Sequence, residues 1–412
     1  MKILTNRRNL LVAAAFAVVL IALACGETMM DSAAVAADVE APMFEVDPMW
    51  PKPLPNHWII GSAIGVTVDS RDHVFIIHRQ GSLNARTEVG ADQSPPTGAC
   101  CSAAPPVLEF DPDGNLVGHF GGPADGYDWP ESNHGITADP ADNLWIGGNG
   151  RDDAHMLKFT RDGQFLKQFG LPGARRADNY TDDEPAWVGN SHDKESFGRV
   201  AEVAFNADTN EAFVADGYLN KRVAVLDADT GEFKRYWGAY GNEPDDADTG
   251  RYDPSAPLIQ QFRTPVHCAE PSHDGLLYVC DRPNDRLQVF KLDGEFVTEK
   301  RIMPDTLGDG SVWDVAFSKD ADQTFLFVAD GKNMNVHVLL RETLEILTSF
   351  GDGGRQPGQF FAVHNVATDS KGNIYTVETY EGKRVQKFVY KGMGPISNKD
   401  QGTVWPTTGG GN

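Results

Sequence analysis

Along this chain, apolar or small residues alternate with polar ones over short stretches. The stretches come in pairs around turns bearing Asp, Asn or Gly. Alternation with period two, punctuated in this way, predicts strand–turn–strand units. Six copies of one such hairpin can be aligned: GVTVDSRDHVFIIHR (65–79), GITADPADNLWIGGN (135–149), EVAFNADTNEAFVADGY (202–218), CAEPSHDGLLYVCDR (268–282), DVAFSKDADQTFLFVADG (314–331) and NVATDSKGNIYTVET (365–379). A second hairpin follows each of the first five, as in VLEFDPDGNLVGHFG (107–121) and MLKFTRDGQFLKQFG (156–170). Its turn is often Asp-Gly, a strong hairpin signal.

The sixth copy stops at VQKFVYKG (385–392), one strand short, and MFEVDPMW (43–50) can supply the missing strand. Four strands in each of six repeats predict an all-β, six-bladed β-propeller whose ring is closed by an N-terminal strand, which removes open edges. Two stacked sheets of a long β-sandwich are the alternative. A repeat period of roughly 50–70 residues favours the propeller. The 42 Gly and 25 Pro agree with a turn-rich chain. Insertions at 80–106, 171–197 and 239–262 are rich in Pro, Asp, Gly and Ser and read as surface loops.

Aligning the first strands puts Ile64, His134, Ala201, His267, Trp313 and His364 in register. Only repeats two, four and six carry His. In a closed ring these three imidazoles converge at about 120° intervals, the arrangement of a three-ligand metal site with one open position. A lone His at a strand start is ordinarily a hydrogen-bonded structural residue, but three in alternate repeats favour a metal. Second strands run antiparallel to the first, so their closing residues share a face with the histidines. These include Arg79, Tyr218 and Arg282. Taken singly, the arginines suit surface ion pairs (Asp281 is a candidate partner) and the tyrosine suits a rim aromatic. Taken together around a metal, a phenol can serve as a base and guanidiniums can hold a carboxylate. His73, His78, His119, His273 and His337 fall outside the register and read as structural or surface residues.

The N-terminus changes the expected location. Lys2, Arg7 and Arg8 precede an apolar run from Leu10 to Ala24, the order of a secretory signal. The expected layout is a signal at 1–24, a linker at 25–42, the propeller at 43–394 and a disordered tail at 395–412. Cys25 leaves lipid anchoring to a membrane and simple secretion both open, so the protein is expected in the periplasm, outside the cell or at its surface. Export permits disulfides. Cys268 and Cys280 lie on two arms of one hairpin and suit a pair, whereas Cys100 and Cys101 cannot be assigned. A net charge of −23 argues against nucleic acid as a partner.

These motifs resemble NHL-type propeller repeats and, among them, the peptidyl-α-hydroxyglycine α-amidating lyases. The likeness runs from about residue 44 to 392. It rests on VFIIHR with Arg79, NHGITAD with His134, VADGYLNKR with Tyr218, PVHCAEP with His267, CDRPNDR with Arg282 and VHNVATD with His364. It implies zinc on the three histidines, a catalytic Tyr218 with Arg79 and Arg282, and cleavage of α-hydroxyglycine to an amide and glyoxylate. It also implies a calcium ion at positions matching Val66, Ile136 and Asn365. Two departures stand out. Asn365 occupies the position of an Asp, and Ala362 that of a Met near the substrate. A small-molecule or peptide C-terminal substrate and a monomeric protein are expected. The alternatives are a metal-dependent lyase or hydrolase acting on another small hydroxy-carboxylate, and a non-enzymatic propeller that binds peptides or proteins.

Overall fold

The computed structural model describes residues 39–84, 86–88, 91 and 98–396. The expected signal at 1–24, Cys25 and the tail beyond 396 lie outside the described residues. Six four-stranded antiparallel sheets form the blades of a propeller. Their innermost strands are Ser62–Val68, Asn133–Ala138, Val200–Asn206, Val266–Pro271, Asp314–Phe317 and Val363–Thr368. Blade six is completed by the N-terminal strand Glu40–Asp47, which pairs antiparallel with Arg384–Pro395. That strand begins at Glu40, inside the segment expected as linker, and the last strand reaches Pro395.

Each sheet is covered on both faces by its neighbours, so the inner strands are buried almost throughout, as in Glu211–Asp216, and exposed positions alternate on outer strands such as Leu116–Phe120. Six apolar clusters fill the six gaps between consecutive blades. Phe44 and Val46 of the closing strand are buried in the gap between blades five and six. The core is thus a ring of interfaces around an axial channel, and burial of apolar area in each gap holds the ring together.

A shared irregularity aims side chains at that channel. Register shifts mark bulges at Ile64, at Gly135, at Ala201, at His267–Cys268 and at His364 in five of the six innermost strands. A bulge sets two residues against one on the partner strand and bends the chain locally. Successive residues there do not alternate strictly across the sheet.

Strand direction also assigns the insertions to a face. Each blade's second strand ends, and its fourth strand ends, on the face where the innermost strand begins. The insertions follow the second strand of blade one and the fourth strands of blades two and three. All three therefore rise on the face that carries the histidines. The Cys268–Cys280 pair forms a disulfide across the first hairpin of blade four, and Cys100–Cys101 form a vicinal disulfide.

Candidate metal centre and its surroundings

His134, His267 and His364 each stand second in their innermost strand and are at most 2% exposed. Their ring centroids lie 5.1, 4.8 and 4.8 Å apart, close to an equilateral triangle on the axis. One nitrogen from each comes within 4.8 Å of the others, so the three can hold a metal ion.

The rings are oriented by neighbouring blades. His134 Nδ1 lies 2.7 Å from the Ala201 carbonyl oxygen, and His267 Nδ1 lies 2.5 Å from that of Trp313. His364 Nδ1 meets the Asn365 side-chain oxygen, and the ring also bonds to the Ile64 carbonyl. Each His thus leans on the register residue of the next blade round the ring. Donation from Nδ1 leaves Nε2 as the free lone pair facing the axis. Gly135 is required behind His134, because with φ of +55° any Cβ there would run into the Ala201 carbonyl.

Burial pushes the imidazole pKa values well down for His134 and His267, and to about 3 for His364. Arg282 pushes all three the same way, and Arg79 does so for His134 and His364. The three rings are therefore neutral, the form that ligates a metal.

Tyr218, Arg79 and Arg282 are brought to this triangle. The Tyr218 hydroxyl lies 2.9 Å from His134 Nε2 and 3.0 Å from His267 Nε2. Arg282 Nη1 donates to that hydroxyl at 3.3 Å, and its guanidinium lies 4.6 Å from the Trp313 ring centroid. Arg79 donates from Nε to the Asn133 carbonyl and from Nη2 to the Asn149 side-chain oxygen. Burial lowers its pKa, with Tyr218 and Tyr380 among its charge neighbours.

Tyr218 and Arg282 are presented by one device used twice. The acid closing the second strand binds the Arg that opens the third, and the intervening turn carries the functional residue. Asp216 binds Arg222 at 2.8 Å around Tyr218, and Asp281 binds Arg286 at 2.6 Å around Arg282. All four clamp side chains are at most 1% exposed. Asp281, the candidate partner of Arg282, is therefore committed to Arg286. Among the described residues neither Arg79 nor Arg282 has a carboxylate partner, and Arg282 Nε is buried without a hydrogen bond. Arg282, a buried guanidinium without an ion-pair partner, favours an anionic ligand.

Sequence reasoning missed Tyr380. It lies in the corresponding turn of blade six, inside the Glu378–Arg384 pair, and edges against the Trp313 ring at 6.3 Å. Its signal was the six-residue spacing from the acid to Arg384, which repeats that of Asp216 to Arg222 in blade three; in blade four, Asp281 to Arg286, it is five. His73, His78, His119 and His337 lie outside the triangle. His78 is buried beside Pro105, and His337 bonds Asp330.

Of the positions matched to calcium, Val66 and Ile136 lie in innermost strands beneath the histidines. Asn365 is already engaged, because its oxygen meets His364 and its amide nitrogen donates to Glu202 Oε1 at 3.2 Å.

No family model matches the chain. NHL repeat-containing protein 3 of Mus musculus is 24% identical over 370 residues, covering 85% of this chain and 85% of that protein. Peptidyl-alpha-hydroxyglycine alpha-amidating lyase 1 of Drosophila melanogaster is 24% identical over 365 residues, covering 84% of this chain and 59% of that protein. A solved structure of unknown function from Bacteroides thetaiotaomicron aligns with a TM-score of 0.50 at 12% identity, over 86% of this chain and 77% of that one, a likeness of fold alone. The chain is an NHL-repeat, six-bladed β-propeller that resembles the peptidyl-α-hydroxyglycine α-amidating lyases.

Proposed function

We propose that the protein is a zinc-dependent lyase that cleaves the N–Cα bond of a peptidyl-α-hydroxyglycine, or of a similar α-hydroxyglycine compound. The observation that carries this reading is the meeting of three neutral imidazoles with one phenol and two guanidiniums that lack carboxylate partners. Zinc held by His134, His267 and His364 would supply Lewis acidity toward the substrate's oxygens.

The chain's own groups do the rest. Arg79 and Arg282 hold the substrate carboxylate and fix its orientation. Tyr218 acts as the base that takes the proton of the α-hydroxyl. The carbon–oxygen double bond forms as the carbon–nitrogen bond breaks, and its electron pair leaves with nitrogen. Nitrogen gains a proton, so the products are a primary amide and glyoxylate, with no change in overall oxidation state. Arg282, donating to the Tyr218 oxygen, ties the base to the carboxylate-holding group.

Ala362 favours a second reading. It is 5% exposed, and its carbonyl accepts from Thr379, next to Tyr380. A small residue there suits a different small hydroxy-carboxylate. Assay with an α-hydroxyglycine compound decides the matter. Glyoxylate released by the zinc-loaded protein and lost in His267→Ala supports the first reading. A zinc-loaded protein that turns over other hydroxy acids but releases no glyoxylate overturns it. The buried Cys268–Cys280 disulfide supports an exported protein, in line with the expected signal.

A further inference from the structure

Beside the metal centre, on the face where the insertions rise, lies a cavity of about 550 Å³. Its walls come from the turn after Tyr218, the 239–262 insertion and the segment leading into blade five. Arg282 forms one side of it and also meets the Tyr218 hydroxyl, so the cavity and the histidine triangle share a wall. Three further cations line it: Lys221, Arg251 and Arg263.

These cations lack counter-charge. Lys221 is 5% exposed, Arg263 7% and Arg282 7%. The hydrogen bonds that these three side chains donate all end on uncharged oxygens. Lys221 bonds the Ala247 carbonyl, and Arg263 bonds the Asn284 side chain and the carbonyls of Thr249 and Gly250. Arg251 is exposed. Among the described residues its side chain makes no hydrogen bond, and none of the four cations makes an ion pair. Asp248 and Asp309 also line the cavity, but each is engaged elsewhere. Asp248 accepts the Gly250 backbone N–H at 2.8 Å, and Asp309 lies 4.0 Å from Lys332. Burial lowers the pKa of Lys221 and of Arg263, against the pull of nearby carboxylates. In a chain of net charge −23, this gathering runs against the overall balance, and a buried cation is costly unless an anion meets it.

We propose that this cavity is an anion subsite of the active site, and that it takes a second carboxylate carried on the acyl side of the substrate. The preferred substrates are then acidic α-hydroxyglycine compounds, such as those acylated by a dicarboxylic acid. The proposal rests on the lyase reading for the identity of the reacting end, but not for the anion. Arg282 stands between the two ends, toward the reacting group on one side and the cavity on the other. Lys221, Arg251 and Arg263 supply charge to the distal carboxylate, and guanidiniums suit its two oxygens.

The test compares N-succinylglycine with its neutral counterpart, N-succinamoylglycine. Neither carries the α-hydroxyl, so neither is turned over. Calorimetric titration of the full chain should show the acidic compound binding about tenfold tighter or more, the size of one charge-assisted contact. Raising the salt concentration should shrink the difference. Arg251→Gln and Lys221→Gln should each reduce the preference, and exposed Arg251, which bonds nothing, can be replaced without loss of the fold. The corresponding α-hydroxyglycine compounds should follow the same order in kcat/KM for glyoxylate release. Equal affinity for the two glycine compounds would overturn the subsite, as would a preference that survives both substitutions. Inorganic phosphate that binds more tightly than N-succinylglycine and displaces it would assign the cavity to a phosphate group instead. Acid-selective binding without glyoxylate from either hydroxylated compound would support the subsite and sink the lyase reading alone. Glyoxylate released equally from both, with equal affinities, would sink the subsite alone.

Discussion

The Tyr218 hydroxyl lies between His134 Nε2 and His267 Nε2, at 2.9 and 3.0 Å. One hydroxyl proton cannot serve two acceptors, so one lone pair of the triangle is unmatched unless a cation takes its place. Tyr218→Phe removes the proton acceptor and leaves the three imidazoles. Glyoxylate release should fall by about 10²–10⁴-fold with metal content unchanged. Metal analysis beside kcat separates the two effects. Loss of metal in this variant would make Tyr218 a support of the centre rather than its base.

Arg282 has no carboxylate partner among the described residues, while Arg286 nearby is clamped to Asp281. The two should respond differently to the same substitution. Arg282→Lys should weaken turnover at least about tenfold with little change in Tm, because a point charge does not reproduce a two-pronged contact. Arg286→Lys should lower Tm strongly, because it disturbs a fully buried pair. Thermal scans and steady-state rates on both variants check this.

Asp285 sits in the turn after Arg282, with φ of +51°, and burial raises its pKa to about 7. Its Oδ2 has no partner. A carboxyl group whose folded pKa lies above its unfolded value stabilises fully below the unfolded value. That contribution is lost as pH rises through about 7. Asp285→Asn keeps the shape, suits left-handed backbone and cannot ionise. It should be more stable than the wild type at pH 8 by about 1 kcal/mol or more, with the difference vanishing near pH 4. Denaturant melts at the two values measure it.

The closing strand should matter to the whole ring. Phe44 is fully buried against Phe327 and Phe350 in the gap between blades five and six. Phe44→Ala should cost about 3–5 kcal/mol. The weakened strand would also bare the edge formed by Arg384–Pro395, so aggregation on heating should increase. Light scattering during a thermal ramp would register it.

The blades were legible because alternation, Asp-Gly turns and aromatic-Gly ends recur at similar spacing, and sequence alone placed His134, His267 and His364 at one strand position. Glu202, buried beside Asn365, was not legible. In a regular strand the residue after an inward-facing one points away from the channel, and the bulges that break this rule leave no mark in the apolar pattern. Tyr380 was missed for another reason. The acid-to-arginine clamp that frames it is a pairing across a turn, visible only when blades three, four and six are superposed. Cys100 and Cys101 are adjacent in a long insertion, where no strand pairing guides assignment.

Each of the three imidazoles rests on a carbonyl of the following blade: His134 on blade three, His267 on blade five and His364 on blade one. The last of these contacts joins the blade built from both chain ends to the blade where the ring begins. Ligand geometry at the centre is therefore a readout of how well the circle has shut. A chain whose terminal strand has not yet docked would hold the three imidazoles loosely, which couples completion of folding to the shape of the centre.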